Sequence, residues 1–257
     1  MKLKFLVAAI GLIVSAASQA QIVTPSTSGG SDLLLDVWEQ GVAGAPDQSF
    51  TLNLGQTMTQ FLASDTSSST LATVLANDTT WTSFLASSSD ANLQWSVIAS
   101  GNKVPTRAGL LATVTAGEDA VGLGLTNNNA ISGNVQLAST VDNMNVQATP
   151  NEQVNTVASN AYYQTATLSN FNGNAWDNGN ALGATGVQVA TLLNVGGSTA
   201  ATGATALLKG TMSFAQDGTG NYVLNYNVAA VPEASGFAVM LAGLGALTLL
   251  ARRRKGL

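Results

Sequence analysis

The sequence predicts an α+β fold, mainly antiparallel β and sandwich-like with a few short helices, preceded by a signal peptide and followed by one C-terminal transmembrane helix. Three observations carry that expectation. Apolar residues alternate with polar ones in several short runs, as half-buried strands require. Helical spacing is confined to short stretches between those runs, which argues against an alternating βαβ order. The two most apolar segments stand at the termini, each beside basic residues, and the stretch between them is polar.

The elements follow in order. Residues 21–31, with Pro25 and Gly29-Gly30, read as a linker whose role is spacing. Leu33, Leu35 and Val37 alternate with Leu34, Asp36 and Trp38, and Phe50, Leu52 and Leu54 alternate with Ser49, Thr51 and Asn53. These two runs are expected to pair as a hairpin through the loop between Gly41 and Asp47. Two short helices follow: Leu71, Val74 and Leu75 behind a serine run, then Trp81, Phe84 and Leu85 behind Thr79-Thr80, each with a hydroxyl cap. Leu93, Trp95, Val97 and Ala99 alternate as a strand, and a further strand is expected from Leu110 to Thr115. Gly117 to Thr149, rich in Gly and Asn, reads as weakly ordered loops with one strand at most. Thr149-Pro150-Asn151-Glu152 has the form of a capping box with proline at the first helical position, predicting a helix with an apolar stripe of Val154, Val157, Ala158 and Ala161. Val187, Val189 and Leu193 suggest a strand. The body closes in a hairpin, with Leu208, Gly210, Met212 and Phe214 on one arm and Tyr222, Leu224, Tyr226 and Val228 on the other, turning at Asp217-Gly218-Thr219-Gly220. Asn225 and Asn227 on the polar side of that last strand predict that one side of the terminal sheet is wet.

Composition excludes much chemistry. Among 257 residues, 9% are charged and none is Cys or His. A disulfide framework, a thiol nucleophile, a Ser-His-Asp triad and an ordinary zinc hydrolase centre are all ruled out. From Gln21 to Pro232 there are three basic and thirteen acidic residues, so 3 minus 13 gives that body a formal charge of −10 against −5 for the whole chain. Such a body repels phosphate, and nucleic acid is not expected as a partner. No cofactor and no metal site are expected. Asp217-Gly218-Thr219-Gly220-Asn221 places oxygens at alternate positions as Ca²⁺ prefers, but Val228 stands where the distal glutamate of an EF-hand loop belongs, so an ordinary hairpin turn is the expectation.

Other groupings are candidate sites. Asn172, Asn174, Trp176, Asp177, Asn178 and Asn180 surround an aromatic with amides and a carboxylate, a composition suited to sugar by stacking and hydrogen bonding; Trp176, Asn174, Asp177 and Asn178 are its candidate ligands, with Trp38 a second stacking candidate. Glu118-Asp119 and the set Asp32, Asp36 and Glu39 are the dense acid groupings, expected to be solvated surface acids rather than a glycosidase pair. Gly122-Leu123-Gly124 lacks the third glycine of a dinucleotide loop. Asn77-Asp78-Thr79 has the form of a glycosylation sequon.

The termini read as addresses. Lys2 and Lys4, the apolar run Phe5 to Val14 and the small-x-small Ser18-Gln19-Ala20 make a signal peptide over 1–20, cleaved between Ala20 and Gln21. The body is expected over 32–230 as one domain. At the other end come Val231-Pro232-Glu233-Ala234, an apolar segment over 235–251 and a basic tail over 252–255, with Arg252, Arg253, Arg254 and Lys255. A helix from Ala234 to Ala251 reaches about 27 Å, enough for a bilayer core. The arginines would remain cytoplasmic, placing the body outside.

Val231-Pro232-Glu233, the helix bearing Met240-Leu241-Ala242-Gly243-Leu244-Gly245 and the Arg252-Arg253-Arg254 tail resemble the PEP-CTERM sorting signal of Gram-negative bacteria, with Ala234 where that signal has its second proline. The resemblance covers about a tenth of the chain and implies recognition by an exosortase, a membrane cysteine protease-transpeptidase. It implies processing near the motif and delivery to the cell surface or exopolysaccharide matrix. On this reading the chain is a non-enzymatic exported protein, using the Sec export machinery and exosortase and held in the inner membrane before processing. The alternative is a carbohydrate-binding module for the cell's own exopolysaccharide.

Overall fold

A computed structural model describes residues 21–39, 48–64, 69–88, 92–101, 109–114, 127–156, 158–161, 179–193 and 205–228. The signal peptide, the segment around Trp176 and the sorting tail lie outside the described residues. Among the described residues no helix is long and apolar enough to cross a membrane, and the segment predicted to do so, 235–251, is not among them.

The fold is mainly antiparallel β. Among the described residues ten strands form one sheet: β1 (Asp32–Glu39), β2 (Gln48–Thr57), β3 (Ser69–Val74), β4 (Leu93–Gly101), β5 (Gly109–Val114), β6 (Glu152–Thr156), β7 (Asn180–Ala181), β8 (Val187–Leu193), β9 (Thr205–Gln216) and β10 (Tyr222–Val228). The order across it is β3-β10-β9-β8-β5-β4-β1-β2-β6, and β7 pairs the stretch of β4 that β5 leaves open. Three helices among the described residues accompany it: α1 (Met58–Ala63), α2 (Thr79–Ser87) and α3 (Asn127–Asn145).

The predicted hairpins form. β1 and β2 pair from Trp38 opposite Ser49 to Leu34 opposite Asn53, and β9 and β10 pair around the Asp217 turn. On the inner face Leu33, Leu35, Val37, Phe50, Trp95, Val97, Met212, Phe214, Tyr222 and Leu224 join one buried cluster. Ring contacts show that the sheet curls over on this face. Phe214 of β9 lies 6.0 Å from Trp95 of β4, although two strands separate them in the sheet. Trp81 of α2 touches Phe50 of β2 at 4.8 Å and Tyr222 of β10 at 4.9 Å, so strands from the two ends of the sheet meet on one indole. Phe61 of α1 packs on Tyr226 at 4.7 Å beside it. The result is sandwich-like, with α1 and α2 filling the space between the folded ends.

At the centre of the sheet the outer face is buried too. Leu34, Asp36 and Trp38 are each fully buried, because α3 lies over neighbouring strands β4, β5 and β8 and the whole of β1 is central. Leu137, Val141 and Met144 form the buried stripe of α3 at helical spacing, and the Asn134 Nδ2 donates to Ser100 Oγ at 3.5 Å.

Several expectations are corrected. Glu152–Thr156 is a strand, not a helix: Val154 pairs with Phe50 and Thr51 with Gln153, and Asn53 N donates to Asn151 O at 2.8 Å. The free edge of β2 accepts this segment, so ladder bonds override the local capping signal. Of the predicted stripe, Ala161 is buried, Ala158 is exposed, and Val157 is outside the described residues. Ser69–Val74 is likewise strand β3, rich in β-branched Thr70, Thr73 and Val74, which suit a pleated surface better than a helix. The region expected to be loops contains α3, whose Asn- and Ser-rich sequence dilutes its apolar stripe. Helix α2 forms as expected but is capped by Asp78, whose Oδ1 accepts from Thr80 N at 2.8 Å and Trp81 N at 2.9 Å, rather than by a hydroxyl.

The segment expected as a linker is anchored at both ends: Ile22 and Ser31 are buried, Gly30 turns the chain at φ 75°, and Met58 N and Thr59 N donate to Ser31 O and Gly29 O, while Ser26, Thr27 and Ser28 between them are exposed.

Candidate functional site

The predicted cleavage point abuts a built attachment. Gln21 is exposed, and the next residue, Ile22, is held at the C-terminal end of α3 by one carboxamide: Ile22 N donates to Asn145 Oδ1 at 2.8 Å and Asn145 Nδ2 donates to Ile22 O at 3.0 Å. Val23 N then donates to Asp32 Oδ2 at 2.9 Å, an oxygen shared with Asn53 Nδ2. Replacing Asn145 with alanine is expected to lower stability by about 1–2 kcal/mol, since two backbone groups lose their partner. Urea denaturation of the body measures this, and an unchanged midpoint would contradict the clamp.

The acid set Asp32, Asp36 and Glu39 is buried, not solvated, at 5%, 0% and 2% exposure. Asp36 sits mid-strand on the outer face, where Thr51 Oγ1 donates to its Oδ1 at 2.5 Å and Ser96 is its cross-strand neighbour in β4. Beyond Thr51, Gln153 and Asn155 of β6 continue a buried polar row, closed by Asn155 Nδ2 donating to Gln153 Oε1 at 2.9 Å. Asp32 accepts from Val23 N and Asn53 Nδ2 at the start of β1, Asp36 accepts from Thr51 in mid-strand, and Glu39 is the last residue of the strand, so the three form no shared centre.

A carboxyl pair unseen in the sequence lies at the start of α2. Glu152, at the head of β6, hydrogen-bonds to Asp78, and burial, then the Asp78 charge, then that hydrogen bond push its carboxyl up to about 7. Two ionised carboxylates have no proton to share, so the contact requires Glu152 in its acid form. Elements α2, β2 and β6 contain no ionisable residue other than Glu152. Direct contact is too close for glycosidase chemistry, which needs roughly 5–9.5 Å between carboxyls. Local composition could not reveal this pair, because tertiary pairing of β6 brings it together.

Other expected sites resolve individually. Trp38 is fully buried, and a Cβ at Gly179 would stand 2.5 Å from its ring, so it offers no face for stacking on sugar. Trp81 and Trp95 are buried as well. Asp217 Oδ1 accepts from Thr219 N at 2.8 Å, Thr219 Oγ1 at 2.7 Å and Asn221 N at 3.0 Å, and the Thr219 bonds hold its carboxyl below the usual carboxylate range. That oxygen closes the hairpin turn. Asn225 accepts from Thr70 Oγ1 at 2.9 Å and Asn227 is exposed, as a wet outer side requires. Among the described residues no group of three or more acids could hold a metal ion. Trp176, Asn174, Asp177, Asn178, Glu118, Asp119, Ala20 and the motif residues Val231, Pro232, Glu233, Ala234, Arg252, Arg253 and Arg254 lie outside the described residues, whereas Asn180 is buried in β7.

Fold and site thus define a curled antiparallel sheet with two helices inside its fold and one outside, and a clamped segment behind the predicted signal peptide. Comparison with family models, with curated proteins and with solved structures finds no match for this chain.

Proposed function

We propose that this chain is a non-enzymatic exported protein of the bacterial surface or exopolysaccharide matrix, delivered through its signal peptide and sorted through its C-terminal tail. The observation that carries the reading is the tail itself: Val231-Pro232-Glu233, a glycine-bearing apolar segment and a terminal arginine cluster, in that order and at the spacing a bilayer sets. Exosortase is the partner that tail implies. Pro232 fixes its own φ and biases Val231 to extended backbone, a form in which a protease binds its substrate.

The fold lends support from both sides. Among the described residues its packing begins at Ile22, one residue past the expected cleavage point, and the last described strand pairs through Val228 opposite Gly210, three residues before the motif. If the body meets exopolysaccharide through an aromatic, Trp176 is the tryptophan left to do so, because the other three are fully buried. The test is the intact mass of the surface-associated form, which is expected to lack both the leader and the apolar tail.

A further inference from the structure

We propose that Gln21, once signal cleavage makes it the first residue, closes on itself to pyroglutamate, so that the mature chain carries a blocked and uncharged N-terminus. The inference rests on the export reading, specifically on cleavage between Ala20 and Gln21.

The chemistry is internal to one residue. The α-nitrogen attacks Cδ of its own carboxamide; a new N–Cδ bond closes a five-membered lactam and the Cδ–Nε2 bond breaks. Two protons pass from the α-ammonium to the departing nitrogen, which leaves as ammonium, and no oxidant or co-reactant is needed. An α-amino group has a pKa of about 7.7–8.0, so roughly a tenth of the termini are neutral and nucleophilic at pH 7.

The structure supplies the conditions. The clamp stops at Ile22: both its backbone groups are taken by Asn145, and Val23 is tied to Asp32. Gln21 is the overhang. It is exposed, and its side chain takes part in no hydrogen bond among the described residues. Ring closure needs only rotation within Gln21 itself, so it leaves every bond of the Ile22 clamp in place. The product ends the chain in a lactam directly against the packed fold, leaving no free amine for an aminopeptidase to engage.

The experiment uses the full chain, exported with its own signal peptide from a Gram-negative host, labelled with an amine-reactive reagent before any digestion and then mapped by mass spectrometry. The expected N-terminal peptide starts at residue 21, is lighter than the free form by one ammonia and takes no label. Pyroglutamyl aminopeptidase then exposes a labelled Ile22. A Gln21→Ser chain is expected to be cleaved at the same place and to take the label at full mass. A residue 21 that stays labelled at full mass after prolonged incubation at pH 8 overturns the inference and leaves the export reading standing. A first residue other than Gln21 overturns the inference and leaves the export reading standing, whereas a retained leader overturns both.

Discussion

Replacing Trp81 with alanine is expected to destabilise the body by about 3–5 kcal/mol, the range for removing a large aromatic from a packed core. The reason is its position. The indole is fully buried and touches Phe50, Phe84, Phe214 and Tyr222, with centroid separations of 4.8, 5.5, 6.1 and 4.9 Å. Those partners come from β2, α2, β9 and β10, so the side chain joins the ends of the curled sheet. Its Nε1–H is buried without a hydrogen-bond partner among the described residues. Trp81→Phe is therefore expected to lose much less, because it removes an unsatisfied donor while keeping a ring in the edge-to-face cluster. Chemical denaturation separates the cases, with a shifted midpoint and an unchanged slope for both variants. A loss below about 1 kcal/mol for the alanine variant would mean that the sheet closes without this indole.

The second large effect is a pH dependence located in one carboxyl. Glu152 is half-buried against Asp78, with its carboxyl raised from 4.5 to about 7. The folded form therefore binds a proton more tightly than the unfolded chain does. Stability from this group is fully present below pH 4.5 and is lost as pH rises through 7. Because solvent screens a half-exposed pair, the loss is expected to be about 1 kcal/mol rather than the full value of the shift. Glu152→Gln keeps the hydrogen bond to Asp78 and cannot ionise. At pH 8.5 it is expected to melt about 2–4 °C above the parent chain, and near pH 5 the two are expected to coincide. Thermal unfolding at both pH values reads this out. Equal melting temperatures at pH 8.5 would show that the pair carries no repulsion.

Much of the sheet was legible because its strands alternate. Phe50, Leu52 and Leu54, the run from Leu93 to Ala99 and the hairpin around Asp217 all lie where the pattern puts them. The failures share a physical cause. Thr149-Pro150-Asn151-Glu152 is a sound local helix start, but the next residues find a ladder on β2, and a dozen residues cannot outweigh that pairing. Helix α3 was hidden because Leu137, Val141 and Met144 are diluted by Asn, Ser and Thr. Helix α1 did carry a readable signal: Thr57 and Gln60 form a capping box, with Thr57 N donating to Gln60 Oε1 at 2.8 Å. Asp36 and Trp38 looked solvent-facing because alternation marks one covered side, whereas β1 is covered on both. The Asp78–Glu152 pair was out of reach, since β6 itself was read as a helix.

The addresses proposed at the two ends are the opposite case: they rest on sequence alone, which is what export machinery reads. The most direct test of the export reading is the intact mass of the protein recovered from the cell surface or matrix of its native host. The expected species starts at residue 21 and ends close to Val231-Pro232-Glu233, without the apolar segment 235–251 or the arginine tail. A surface species that still ends at Leu257 would contradict the sorting account.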